Sequence, residues 1–260
     1  MYNKKGVAGK VWEIAYPVLM YYSAITIGSF VAQVILGAGI ETYMLCKIIG
    51  SLVAIPVVYA DYKHDLMLTG KYKIKEAFTK DTWVNLAFVV GITLFLSVAL
   101  NNIISMSPLV SMSQEYQNAS DAFYGSSFGL EILGSALITP FLEELLHRGV
   151  VYGRLRRMMG LLPSVLVSAL IFAGLHFNIV QFIYAFLLGI VFALFMEKSG
   201  RLYPAVIAHV VANGLAVIRT ETNFLVETVD GSVSAWFISV GCLLIGLGLL
   251  FFYDERKQES

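Results

Sequence analysis

Apolar residues run along this chain in blocks much longer than the three- and four-residue spacing of a soluble amphipathic helix. The blocks lie near 11–38, 40–60, 82–104, 128–153, 161–178, 180–198, 202–219 and 234–253. A helix that crosses a bilayer needs about 20 mostly apolar residues. The pattern therefore predicts an all-α fold, a polytopic membrane helix bundle of about eight transmembrane helices. The first block is too long for the apolar region of a signal peptide and lacks a convincing small-residue cleavage site, so a retained helix is expected. No internal repeat, low-complexity stretch or soluble domain stands out, which weakens a transporter built from inverted repeats. By segment, 1–127 supplies N-terminal helices and loops, 128–219 a helix core, and 220–260 a last helix and tail, all within one bundle.

Polar residues between the blocks set an orientation. Lys4, Lys5 and Lys10 precede the first block, and Lys63, Lys71, Lys73, Lys75 and Lys80 follow the second. Arg154, Arg156 and Arg157 follow the fourth, Lys198 and Arg201 the sixth, and Arg256 and Lys257 the eighth. The alternate segments 105–127 and 220–233 hold no Lys or Arg, and Arg219 is the one basic residue on the opposite side. Lysine and arginine collect on the cytoplasmic side, so an integral, multi-pass protein with both termini cytoplasmic is expected, in a bacterial cell membrane.

Composition sharpens this. The chain is 58% hydrophobic and 14% charged, with a mean hydropathy of +0.74. A soluble domain sits nearer half apolar and a quarter charged. The formal net charge is +0, so there is no electrostatic case for a nucleic-acid partner. Cys46 and Cys242 fall inside apolar blocks and read as packing residues. His64 reads as solvated surface. Lys47 and Glu41 read as a pair, or as snorkelling residues near a membrane face, with no chemistry assigned.

The candidate chemistry lies where a membrane makes it expensive. The fourth block carries Glu131, Glu143, Glu144, His147 and Arg148; His176 closes the fifth; His209 and Asn213 lie inside the seventh. Ionisable groups in such positions usually face a bundle interior and carry function. Residues four apart share a helix face, which pairs Glu144 with Arg148, Glu143 with His147, Phe172 with His176 and His209 with Asn213. If the hairpin between the fourth and fifth helices turns near Met159–Gly160, Glu143 and His176 both lie roughly 24 Å from it and become level. His209 needs a kink or an offset to join them. Two carboxylates, an arginine, two deep histidines and an asparagine suffice for acid/base hydrolysis within a membrane.

Three motifs carry a family resemblance. The chain reads Glu143-Glu144-Leu145-Leu146-His147-Arg148, then Phe172-Ala173-Gly174-Leu175-His176, then His209-Val210-Val211-Ala212-Asn213. In order and spacing these resemble the CAAX-processing and bacteriocin-processing (CPBP, or Abi) intramembrane protease family, over about 128–215. One departure is His147, where the family commonly has an aromatic residue; a ring substitute is favoured over a spare proton carrier. The resemblance implies an intramembrane endopeptidase of CAAX-protease type. Glu143 would be the general base on a water that His176 orients. His209 and Asn213 would polarise the carbonyl, and Glu144 and Arg148 would form a supporting ion pair. It also implies a peptide or lipidated-protein substrate, with a bacterial precursor preferred, in contact with membrane lipid.

A metal is a separate question. One glutamate and two histidines (Glu143, His176, His209) make an acceptable zinc shell. The chain lacks the compact His-Glu-x-x-His helix motif, and a metal-free water is favoured with zinc as the alternative. Two competing functions remain: a non-catalytic membrane immunity or scaffold protein, and a proton-coupled transporter using the same residues as a relay.

Overall fold

The computed structural model describes residues 6–71 and 80–253, without the side chains of 80 and 81. Lys4, Lys5, Lys73, Lys75, Arg256, Lys257 and the Lys80 side chain therefore lie outside the described residues. The expected blocks become helices: α1 (Val7–Leu36), α2 (Ile40–Leu68), α3 (Lys80–Ser105), the short α4 (Leu109–Met112) and α5 (Gln114–Phe123), and α6 (Phe128–Met158). They are followed by α7 (Leu161–Gly174), α8 (Ile179–Ser199), α9 (Tyr203–Thr222) and α10 (Val233–Phe252).

Six of these are long and apolar enough to span a membrane: α1, α2, α3, α8, α9 and α10. A seventh span results if α5 and α6, bent by 111° at their junction, are taken together. The fifth expected run becomes α7, which has 14 residues and is about 21 Å long. That falls short of a hydrocarbon core about 30 Å thick. The run was expected to reach 178, but the helix stops at Gly174, and Phe177 adopts a left-handed conformation (φ 56°).

α6 is the axis of the bundle. All eight residues from Leu145 to Tyr152 are buried, as a helix enclosed on every side requires. α1, α2, α7, α8 and α9 pack around it. α3 and α10 pack against each other, and Val89, Ile92 and Leu96 of α3 join Leu188, Phe192 and Phe195 of α8 and Ala205, Ala208 and Ala212 of α9 in one core. The connection into α9 has clear local causes. Gly200 ends α8 in the left-handed region, its N–H bonded to the Met196 carbonyl, and Pro204 opens the first turn of α9, where its missing N–H costs nothing.

Charged contacts tie the helix ends together at one end of the bundle. Arg154 bonds Asp61 and Asp65 of α2, each at 2.8 Å, and the Glu13 carbonyl of α1. Arg156 meets Glu197 of α8 at 2.7 Å, and Lys198 donates to the Tyr253 carbonyl. The described basic residues Arg154, Arg156 and Lys198 thus share one end, called the basic end below.

Candidate active site

The site begins with a proline. Pro140 lies inside α6 and follows a wide, π-type stretch, Ile132–Ile138. Proline has no N–H and clashes with the carbonyl four residues back. The helix widens to accommodate it, and the Thr139 N–H bonds Gly134 O, five residues back. In that register Ser135 O would need the N–H of residue 140, which does not exist. Its acceptor is instead filled by Asn213 Nδ2 of α9, at 2.9 Å. A second π-type stretch, Leu145–Tyr152, follows the glutamate pair. Such stretches are rare and frequently mark functional sites.

A testable consequence follows for stability. Asn213→Ala leaves the Ser135 carbonyl unpaired and is expected to cost about 1–3 kcal/mol. In a Pro140→Ala background the new N–H can serve that carbonyl, and the cost of Asn213→Ala should shrink. Denaturation of the four proteins in detergent measures both costs; equal values would rule the account out.

Below Pro140 lies the most deeply buried part of the site. Glu144 and Arg148 are both 0% exposed, with Arg148 Nη1 donating to Glu144 Oε1 at 2.8 Å. The same oxygen meets His209 Nδ1 at 2.8 Å. Arg148 Nη2 donates to Gly189 O of α8 at 2.9 Å. A Cβ on Gly189 would lie 3.1 Å from that Nη2 and 3.3 Å from both Ala169 Cβ and Phe172 Cδ1, so glycine permits the approach. The guanidinium sits 4.6 Å from the centroid of Phe172 and 5.4 Å from that of Phe192. His209 stacks on Phe192 and meets Phe172 edge-on. One carboxylate, one guanidinium and one imidazole are thereby fixed by α6, α7, α8 and α9 together.

Glu143 points elsewhere. Its side chain is 17% exposed, and its Oε2 lies 3.7 Å from His209 Nε2. Its charge reaches His176, Arg148, Lys47 of α2, and Tyr21 and Tyr22 of α1. His176 lies just past the end of α7. Its Nδ1 bonds Phe172 O at 3.1 Å, and its ring stands edge-on to Phe172. The carbonyl can only accept, so Nδ1 carries a proton and Nε2 of a neutral ring offers its lone pair. The loop is held on both sides. Asn178 caps α8 by accepting from Gln181 N and donates to His176 O, while Tyr22 Oη donates to Leu175 O.

The structure brings Glu143, Glu144, Arg148, His176 and His209 together, and ties Asn213 to the same helix through Ser135. His209 reaches the level of Glu144 by offset, since α9 is unbroken. His147 is buried and packs its ring 5.0 Å from that of Phe172, the place of a ring substitute. Glu41 is exposed and does not pair with Lys47. Among the described residues, no group of three His, Cys, Asp or Glu side chains is arranged to hold a metal ion.

Several contributors escaped the sequence reading. Phe192 sits in an apolar block with no motif to flag it. Lys47 and Tyr22 come from the first two helices, and only their isolated polarity in an apolar run singles them out.

Comparison with known proteins bears on part of the chain. Residues 125–215 match the family model described as "Type II CAAX prenyl endopeptidase Rce1-like". That segment, about a third of the chain, is similar to this family. The resemblance read from the three motifs is thereby borne out. A Bacillus subtilis (strain 168) protein named "Putative membrane peptidase YdiL" is 27% identical over 89 residues, 34% of this chain. The match spans only about a third of that relative (36%). No solved structure matches. The Rce1-like match and the YdiL relative support a membrane protease in general.

Proposed function

We propose that this chain is an intramembrane endopeptidase that hydrolyses a peptide bond of a membrane-associated peptide or lipidated protein with a glutamate-activated water. The observation that carries the reading is the contrast between two adjacent glutamates. Glu144 is fully enclosed, with one oxygen shared by Arg148 and His209. Glu143 is partly open, with its Oε2 3.7 Å from His209 Nε2. Adjacent carboxylates in different surroundings take different tasks: Glu144 positions, and Glu143 reacts.

In this reading Glu143 takes a proton from a water whose second hydrogen is held by His176 Nε2. The water oxygen adds to the scissile carbonyl. As the tetrahedral intermediate collapses, the proton on Glu143 passes to the leaving amine. His209 donates from Nε2 to the developing oxyanion. Its Nδ1 is engaged by Glu144 Oε1. Asn213 has one N–H committed to Ser135, and its second remains for the substrate. No step uses a metal.

The test follows the oxygen atom. Purified protein is incubated in heavy-oxygen water with a farnesylated peptide bearing a free C-terminus, and with its unlipidated counterpart. A new peptide terminus whose carboxyl carries one heavy oxygen is the expected product by mass spectrometry. Intact peptides would overturn the peptidase reading. Intact peptides together with solute flux in sealed vesicles would point to the transporter instead.

A further inference from the structure

We propose that Lys47 is a substrate-binding residue whose ammonium group receives a carboxylate of the peptide; the inference rests on the peptidase reading above. Lys47 lies on α2, seven residues from its start and away from the basic end. Its neighbours Met44 and Ile48 press against α6 at Gly134, where an added Cβ would lie 2.5 Å from Met44 Sδ and 3.0 Å from Ile48 Cγ1. Ser135 Oγ also contacts Met44 Sδ, at 3.7 Å. Lys47 is therefore held beside the stretch of α6 that leads into Glu143. Its charge reaches both Glu143 and His176.

Lys47 is partly buried, and what its ammonium touches is an aromatic face. Nζ lies 3.7 Å from the ring centroid of Phe123 at the end of α5, and Tyr43 meets the same ring edge-on. Among the described residues no carboxylate lies within ion-pairing distance of it. This contrasts with Arg148, Arg154 and Arg156, each bonded to a carboxylate at 2.7–2.8 Å. An intramembrane cation that lacks a counter-ion is costly and usually functional. A ring face leaves its remaining N–H donors free for an anion. Among the described residues Glu143 is the carboxylate whose charge acts on Lys47, and a base that must gain and lose a proton is poorly served by a direct ion pair.

A peptide carries carboxylates of two kinds, its free C-terminus and its Asp or Glu side chains. Either can place an anion on Lys47 while the scissile bond lies at Glu143. The geometry makes Lys47 a selector of charged substrates.

Binding can be read without turnover, in a Glu143→Gln background. The probes are a fluorescent farnesylated peptide with a free C-terminal acid and one internal Glu, its C-terminal amide, and its Glu→Gln version. The acid form should bind about 10- to 100-fold more tightly than whichever version lacks the recognised carboxylate. The amide losing affinity identifies the C-terminus as the source, and the Gln version losing it identifies the side chain. Lys47→Met should bring the ratio to about one, and Lys47→Arg should keep most of it. Three peptides of equal affinity, or a preference that survives Lys47→Met, would overturn the proposal. Thermal stability of Lys47→Met should not fall, because no ion pair is lost. A retained preference in the presence of Lys47 without heavy-oxygen incorporation by the wild type would sink the peptidase reading alone.

Discussion

Glu143→Gln is expected to abolish turnover, by about 10²- to 10⁴-fold or more, while peptide affinity stays nearly unchanged. The amide keeps the shape of the carboxyl group but cannot accept a proton from water. Its position predicts little structural harm. Glu143 is partly exposed, and its approach to His209 Nε2 is long, at 3.7 Å. Glu144→Gln should behave differently. It replaces the acceptor of both Arg148 Nη1 and His209 Nδ1, so folded yield should fall along with activity. Steady-state kinetics with a cleaved peptide, together with unfolding in detergent, separates the two. If Glu143→Gln retains turnover and Glu144→Gln loses it without loss of stability, the roles of the two glutamates are reversed. Rigorous chelation of the wild type should leave turnover intact. Loss on metal removal, with recovery on stoichiometric zinc, would defeat the metal-free reading.

The sequence disclosed much of this arrangement because membrane folds write their elements plainly. Long apolar runs became helices nearly where they were read, and the turn between α6 and α7 falls at Met159–Gly160. The pairing of Glu144 with Arg148 follows from a spacing of four on a helix. It survives the π-type stretch that begins at Leu145. Other features depend on contacts distant in sequence. The partner of Ser135 O lies 78 residues away on α9, and that of Arg148 Nη2 lies 41 residues away on α8. Periodicity sees neither. The short α7 was misread because apolar residues continue past Gly174, whereas the helix is already capped at Leu175 and the chain is left-handed at Phe177. Lys47 was read as an interfacial residue because its sequence neighbourhood does not show Phe123 beside it.

Arg148→Ala is expected to destabilise the protein by about 3–5 kcal/mol, the usual cost of stripping one partner from a buried ion pair. The wild-type side chain satisfies Glu144 Oε1 and the Gly189 carbonyl simultaneously and fills the gap between Phe172 and Phe192. Alanine leaves the carboxylate with His209 alone, a bare carbonyl on α8, and a cavity between two rings. Arg148→Lys should recover only part of the loss, since an ammonium group can reach Glu144 but lacks the planar fork that also reaches Gly189. Glu144→Gln combined with Arg148→Met removes the charge problem altogether, and a buried pair replaced by neutral groups of similar volume is often tolerated. That double variant should regain much of the folded yield and still lack turnover, because His209 loses the carboxylate that aligns Nε2 toward Glu143. Folded yield and thermal unfolding in detergent, set beside peptide cleavage, read both parts. Near-normal stability of Arg148→Ala would mean that the guanidinium is solvated and that α8 is not bound to α6 through it.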